Sequence, residues 1–124
     1  KDLLCIDYTS AYSTPSLDKL VRTFVYDRQG KGSFTVGDEF TANAPIRFET
    51  AITTQANWKI IDDTHLLLTT GTEQMTVTIE ASGKVAFTSE TIEVNSPAYT
   101  RIGISLKEQS KDGYIRLTMR TKQL

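Results

Sequence analysis

The chain has little with which to staple, coordinate or catalyse. A single cysteine, Cys5, excludes an internal disulfide. A single histidine, His65, excludes a metal site built on several imidazoles. Neither sign of charge is in excess: 14 basic residues stand against 15 acidic ones, a net charge of −1. Electrostatics therefore gives no reason to expect nucleic acid or an anionic membrane surface as a partner. Long hydrophobic runs are missing too. The longest are L-L-C-I at 3–6 and L-L-L at 66–68, far short of the roughly 18 residues of a membrane-spanning helix. No N-x-S/T sequon occurs, because Asn43, Asn57 and Asn95 all fail at the third position.

Cys5 lies in an apolar run and is expected to be a small buried hydrophobe. A lipidated cysteine would follow a small residue and a long apolar stretch; here Leu4 precedes it and no such stretch does. The sequence given opens on Lys1 rather than Met, which fits removal of an upstream signal or anchor segment.

What is present is threonine, 19 residues of 124, more than alanine and leucine together. Threonine is β-branched and suits the solvent face of a strand. A chain of 124 residues with 39% hydrophobic and 23% charged side chains fits one compact domain spanning 1–124.

Period-two alternation runs from end to end. Met75, Val77, Ile79 and Ala81 alternate with Thr76, Thr78 and Glu80. Ile102, Ile104 and Leu106 form a second inward set, and Ile115, Leu117 and Met119 a third. Turn residues separate such stretches: Q-G-K-G at 29–32, D-D at 62–63, S-G at 82–83 and K-D-G at 111–113, with N-A-P at 43–45 and N-S-P at 95–97 as longer breaks. Ten strands are expected, at 3–12, 19–28, 33–41, 45–54, 57–62, 65–70, 74–81, 84–94, 99–108 and 114–122. A bulge near Ser89 would account for the change of phase between Phe87 and Ile92. T-P-S-L-D-K-L at 14–20 is the one expected short helix, capped by Thr14. A meander this long must manage its edges. The expected architecture is all-β: an antiparallel up-and-down barrel of eight to ten strands, with a flattened sandwich as the competing form.

Two hairpins carry a family resemblance. F-V-Y-D-R-Q-G-K-G-S-F-T-V at 24–36 resembles the lipocalin hairpin in which an apolar strand runs into D-x-x-G-x-G-x-F. N-W-K-I-I-D-D-T-H-L-L-L at 57–68 resembles a later one, where a Trp strand turns at Asp and returns apolar. In size and hairpin order the chain is similar to small lipocalin-like (calycin-type) domains of exported bacterial proteins, many from Bacteroidota. The G-x-W that opens true lipocalins is replaced by L-L-C-I-D-Y-T. The resemblance implies a barrel, an exported, periplasmic or cell-surface location, and no catalytic machinery.

Chemistry-bearing patterns are sparse. D-D-T-H at 62–65 reads as turn chemistry rather than a metal site. No nucleophile elbow accompanies His65, Cys5 has no sequence-evident partner, and no carboxylate pair stands out. Q-G-K-G lacks the spacing of a phosphate loop. No catalytic residue, metal or cofactor is therefore assigned, and the protein is not expected to be an enzyme. The aromatic residues are more informative. Phe24, Phe48 and Trp58 are the candidate wall of a ligand-holding calyx, and Arg47 the candidate partner for a fatty-acid carboxylate. The expected function is a non-catalytic binding domain for a small hydrophobic ligand. The alternative is a structural or protein-interaction domain of the cell envelope, with a filled core and an exposed apolar patch or strand edge.

Overall fold

The computed structural model describes residues 1–12, 14–93 and 97–122. Ten antiparallel strands make up nearly all of it: β1 Asp2–Asp7, β2 Leu17–Asp27, β3 Ser33–Ile46, β4 Glu49–Thr54, β5 Asn57–Asp62, β6 His65–Thr70, β7 Glu73–Ala81, β8 Val85–Ile92, β9 Tyr99–Leu106 and β10 Ser110–Lys122. The protein is thus all-β, as the alternation requires. The strands divide between two sheets. Seven run in the order β1-β2-β3-β10-β7-β6-β5, and three in the order β4-β9-β8. Two local meanders, β1-β2-β3 and β5-β6-β7, are joined side by side by the last strand, β10, which departs from a simple up-and-down path. Among the described residues no ladder joins β1 to β5, so the larger sheet has two free edges.

The hairpins form where turn residues occur. Between β2 and β3, Gly30 and Gly32 take left-handed φ of 61° and 85°, values that side-chain-bearing residues avoid. Asp27 Oδ1 accepts the Gln29 N–H at 3.0 Å and holds the turn from within.

Several local expectations are corrected. Residues 14–20 are not helical: Leu17 N–H bonds to Thr14 O at 3.1 Å in a single turn, and β2 begins there. A segment this short cannot offset the cost of helix nucleation, whereas strand pairing buries Leu20 against Phe40. The first strand ends at Asp7 rather than residue 12, because Asp7 Oδ1 accepts the Thr9 N–H and hydroxyl at 2.9 and 2.6 Å and turns the chain into a short 3₁₀ turn at Thr9–Ala11. N-A-P at 43–45 does not break β3, which runs on to Ile46. Here Ser110 faces Ile46 and Asp112 faces Thr41, so Pro45 lies in an irregular stretch and costs no ladder bond. K-D-G at 111–113 lies inside β10, and β9 and β10 belong to different sheets. The register of β8 on β9 is continuous from Val85↔Leu106 to Ile92↔Tyr99, so there is no bulge at Ser89. Val94, Asn95 and Ser96, which include most of N-S-P, lie outside the described residues. Cys5 is exposed, because β1 is an edge strand and Cys5 points away from the core-facing side.

The core lies between the two sheets. From the larger come Leu20, Phe40, Leu66, Leu68, Val77, Ile79, Ile115 and Leu117; from the smaller, Ile102, Ile104 and Leu106. Burial of each such side chain stabilises the fold by about 1.5–3 kcal/mol. Gly113 leaves room for a close approach within the core: a Cβ there would fall 2.6 Å from Ser82 Oγ, 3.1 Å from Phe40 Cε1 and 3.2 Å from Leu106 Cδ1, so those side chains would have to shift. No helix among the described residues is long and apolar enough to cross a membrane.

Candidate functional site

A concavity of mixed polar and apolar chemistry sits where β2 and β3 leave the core and the chain crosses to β4. Its floor is Leu17 and Leu20 of β2, Ile46 at the end of β3 and Phe48 in the link to β4; Tyr12, Thr14, Arg22, Asp38, Arg47 and Glu49 complete it. The cavity measures about 270 Å³. That is just under the roughly 300–1,000 Å³ of drug-sized ligand sites.

Each wall residue is placed by strand register. Leu20 pairs with Phe40, and Arg22 with Asp38, one step further along the same face. Phe48 stacks on Phe40 with ring centroids 4.6 Å apart and planes inclined by 24°. Arg22 binds Asp38 through two parallel hydrogen bonds, Nε to Oδ1 at 2.6 Å and Nη2 to Oδ2 at 2.8 Å. Asp38 is only 4% exposed. Its hydrogen bond holds the Arg22 guanidinium above its already high ordinary pKa, so the cation is permanent. Arg22 also lies 5.6 Å from the Tyr8 ring centroid, a cation–π contact.

Of the four residues singled out in sequence, Arg47 and Phe48 line this cavity together. Arg47 lies in the two-residue link between β3 and β4 rather than on a strand, and it is exposed. Among the described residues it has no ion-pair partner, whereas Glu49 is taken by Arg101 at 2.8 Å. Phe24 is elsewhere, in an open groove beside β1 with Leu4, Ile6, Tyr26 and Phe34. Trp58 is half-buried on β5 and packs on the core. The three aromatics therefore do not line one calyx. The Arg22–Asp38 pair escaped sequence reasoning, yet it left a signal: opposite charges sit at the inward phase of two strands joined by a tight turn.

At the β5–β6 hairpin, Asp62 Oδ1 accepts the Thr64 N–H at 2.9 Å and lies 2.8 Å from His65 Nδ1. Among the described residues no three His, Cys, Asp or Glu side chains converge as a metal site. The Thr64 N–H, then His65, hold Asp62 below the usual aspartate range; the Thr9 hydroxyl, then its N–H, do the same for Asp7. Groups whose folded pKa is depressed stabilise the fold above their unfolded value and lose that contribution as pH falls through the folded one. Thermal melts should therefore show a midpoint that drops as pH falls below 3.8, the ordinary aspartate value. Asp7→Asn and Asp62→Asn should each lower the midpoint at neutral pH and flatten its acid dependence. An unchanged acid slope in both variants would remove these carboxylates from the account.

Comparison with known proteins found no matching family model and no curated protein of significant similarity.

Proposed function

We propose that the protein is a non-catalytic binding domain whose ligand is a small anionic amphiphile, seated in the Arg47–Phe48 cavity. The carrying observation is the pairing, in one concavity, of an exposed guanidinium that has no ion-pair partner among the described residues with an apolar floor of Leu17, Leu20, Ile46 and Phe48. A carboxylate meets Arg47, and a short alkyl or aromatic body covers the floor. The volume favours a body of medium length over a long acyl chain. Arg22, neutralised by Asp38, stiffens the wall without competing for the anion. The lipocalin-like resemblance belongs to the same proposal: a barrel-type enclosure of one core by two sheets, in an exported bacterial protein.

The test is calorimetric titration with octanoate, alongside native mass spectrometry of freshly purified and delipidated protein. Saturable 1:1 binding is expected for octanoate, with far weaker binding of octanol. Arg47→Glu should weaken octanoate binding about tenfold or more, the loss of one charge-assisted contact, with the melting temperature unchanged. Equal affinity of Arg47→Glu, or no saturable binding, would overturn the proposal.

A second reading, a domain that associates with other chains, is favoured by a different observation: the open apolar edge at β1, with Leu3 69% and Leu4 56% exposed.

A further inference from the structure

The two edges of the seven-stranded sheet are treated differently. Soluble proteins blunt free edges with charge, proline or bulges, because unpaired N–H and C=O groups recruit other strands. At β5 the register shifts between Ile60 and Asp62, and Lys59 and Asp62 supply charge. At β1 the ladder to β2 is unbroken from Asp2↔Tyr26 to Asp7↔Val21, and the middle of the strand reads Leu-Leu-Cys-Ile. The same edge continues an apolar surface. On the core-facing side, Leu4 and Ile6 adjoin Phe24, Tyr26 and Phe34, around an open groove of about 450 Å³. Tyr26 and Phe34 remain 42% and 39% exposed.

We propose that β1 pairs antiparallel with β1 of a second copy of this chain, about a two-fold axis through Leu4. This gives the second reading above a specific partner and is independent of the ligand proposed for the Arg47 cavity.

Backbone direction, face and charge together select this register. Tyr8 N–H bonds to Leu20 O at 2.8 Å. In an antiparallel ladder alternate residues share this orientation. The even positions of β1 therefore turn their backbone groups to β2, and Leu3 and Cys5 turn theirs outward. A continuous sheet keeps both apolar faces on one side only if residues of equal parity face each other. With Leu4 opposite the partner's Leu4, Leu3 and the partner's Cys5 exchange backbone hydrogen bonds. Lys1 then faces the partner's Asp7 at both ends, on the side away from the core. Asp2, beside the partner's Ile6, already has its carboxylate paired with Arg28. A shift by one residue in either direction would flip one apolar face to the wrong side, and in one direction would also put Asp2 opposite the partner's Asp7. A shift by two in either direction would leave Lys1 without its acidic partner, and in one direction would put Cys5 opposite the partner's Cys5.

The test is disulfide trapping combined with analytical ultracentrifugation of the full chain. The Leu4 pair is a non-hydrogen-bonded one, with Cα atoms about 4.5 Å apart, within disulfide range. Leu4→Cys in a Cys5→Ser background should oxidise to a covalent dimer of twice 13.9 kDa, at least tenfold faster than a Ser10→Cys control in that background. The unmodified chain should sediment as a dimer and form no Cys5 cross-link. Cys5→Pro removes one outward N–H that β2 does not use, and should be monomeric with its fold intact. Leu4→Arg should be monomeric as well, and serves if the proline variant does not fold. A monomeric parent chain, rapid cross-linking through native Cys5, or a dimer that survives both edge variants would overturn the proposal. Octanoate binding reads the cavity separately, so either idea can fail alone.

Discussion

Phe40→Ala should lower the unfolding free energy by about 3–5 kcal/mol, the cost of emptying a large aromatic site in a packed core. Phe40 is 1% exposed in the core: it stacks on Phe48 in the link from β3 to β4, and both its ring edge and Leu106 lie close to Gly113 of β10. Natural domains of this size are stable by only about 5–15 kcal/mol, so this one substitution removes a large share. Urea unfolding should show a lower midpoint with an unchanged slope. Phe40→Leu, which keeps most of the volume, should recover more than half of the loss. A cost under about 1 kcal/mol for Phe40→Ala would mean that the two sheets do not close over this residue as described.

The second large effect is expected at the Arg22–Asp38 pair. Arg22→Met should destabilise by about 3 kcal/mol, since it leaves a buried carboxylate without its counter-charge. The arginine side chain is 32% exposed and that of Asp38 only 5%, so truncating the arginine does the greater harm. The double variant Arg22→Met/Asp38→Leu should be more stable than either single variant, because two apolar side chains replace two desolvated charges. Chemical denaturation of the four proteins gives the coupling directly. If the double variant loses the sum of the two single losses, the pair acts as two unrelated surface groups. The cavity readout separates structure from recognition: the double variant should still bind octanoate through Arg47, with affinity altered only as far as the wall has moved.

The sequence determined where most strands lie and, in the strongly alternating ones, which face is buried. Met75, Val77, Ile79 and Ala81 lie on one face of β7, and Ile115, Leu117 and Met119 on one face of β10, because a strand exposes alternate residues to opposite sides whatever it pairs with. Turns were equally legible where Asp and Gly impose a local conformation, as at Asp27 to Gly32. Pairing between distant strands was not, because alternation is the same for every possible neighbour. Only the tertiary structure decided that β10 sits between β3 and β7, that S-G at 82–83 leads from one sheet to the other rather than closing a hairpin, and that β1 is an exposed edge. The site divided in the same way. Residue type marked Arg47 and Phe48 as candidates, and their adjacency in sequence kept them together. Phe24 and Trp58 were separated by register, since Phe24 belongs to the open end near β1 and Trp58 to the opposite edge. Local propensity acts within a few residues, whereas a cavity is made by strands that meet only after the sheets have formed.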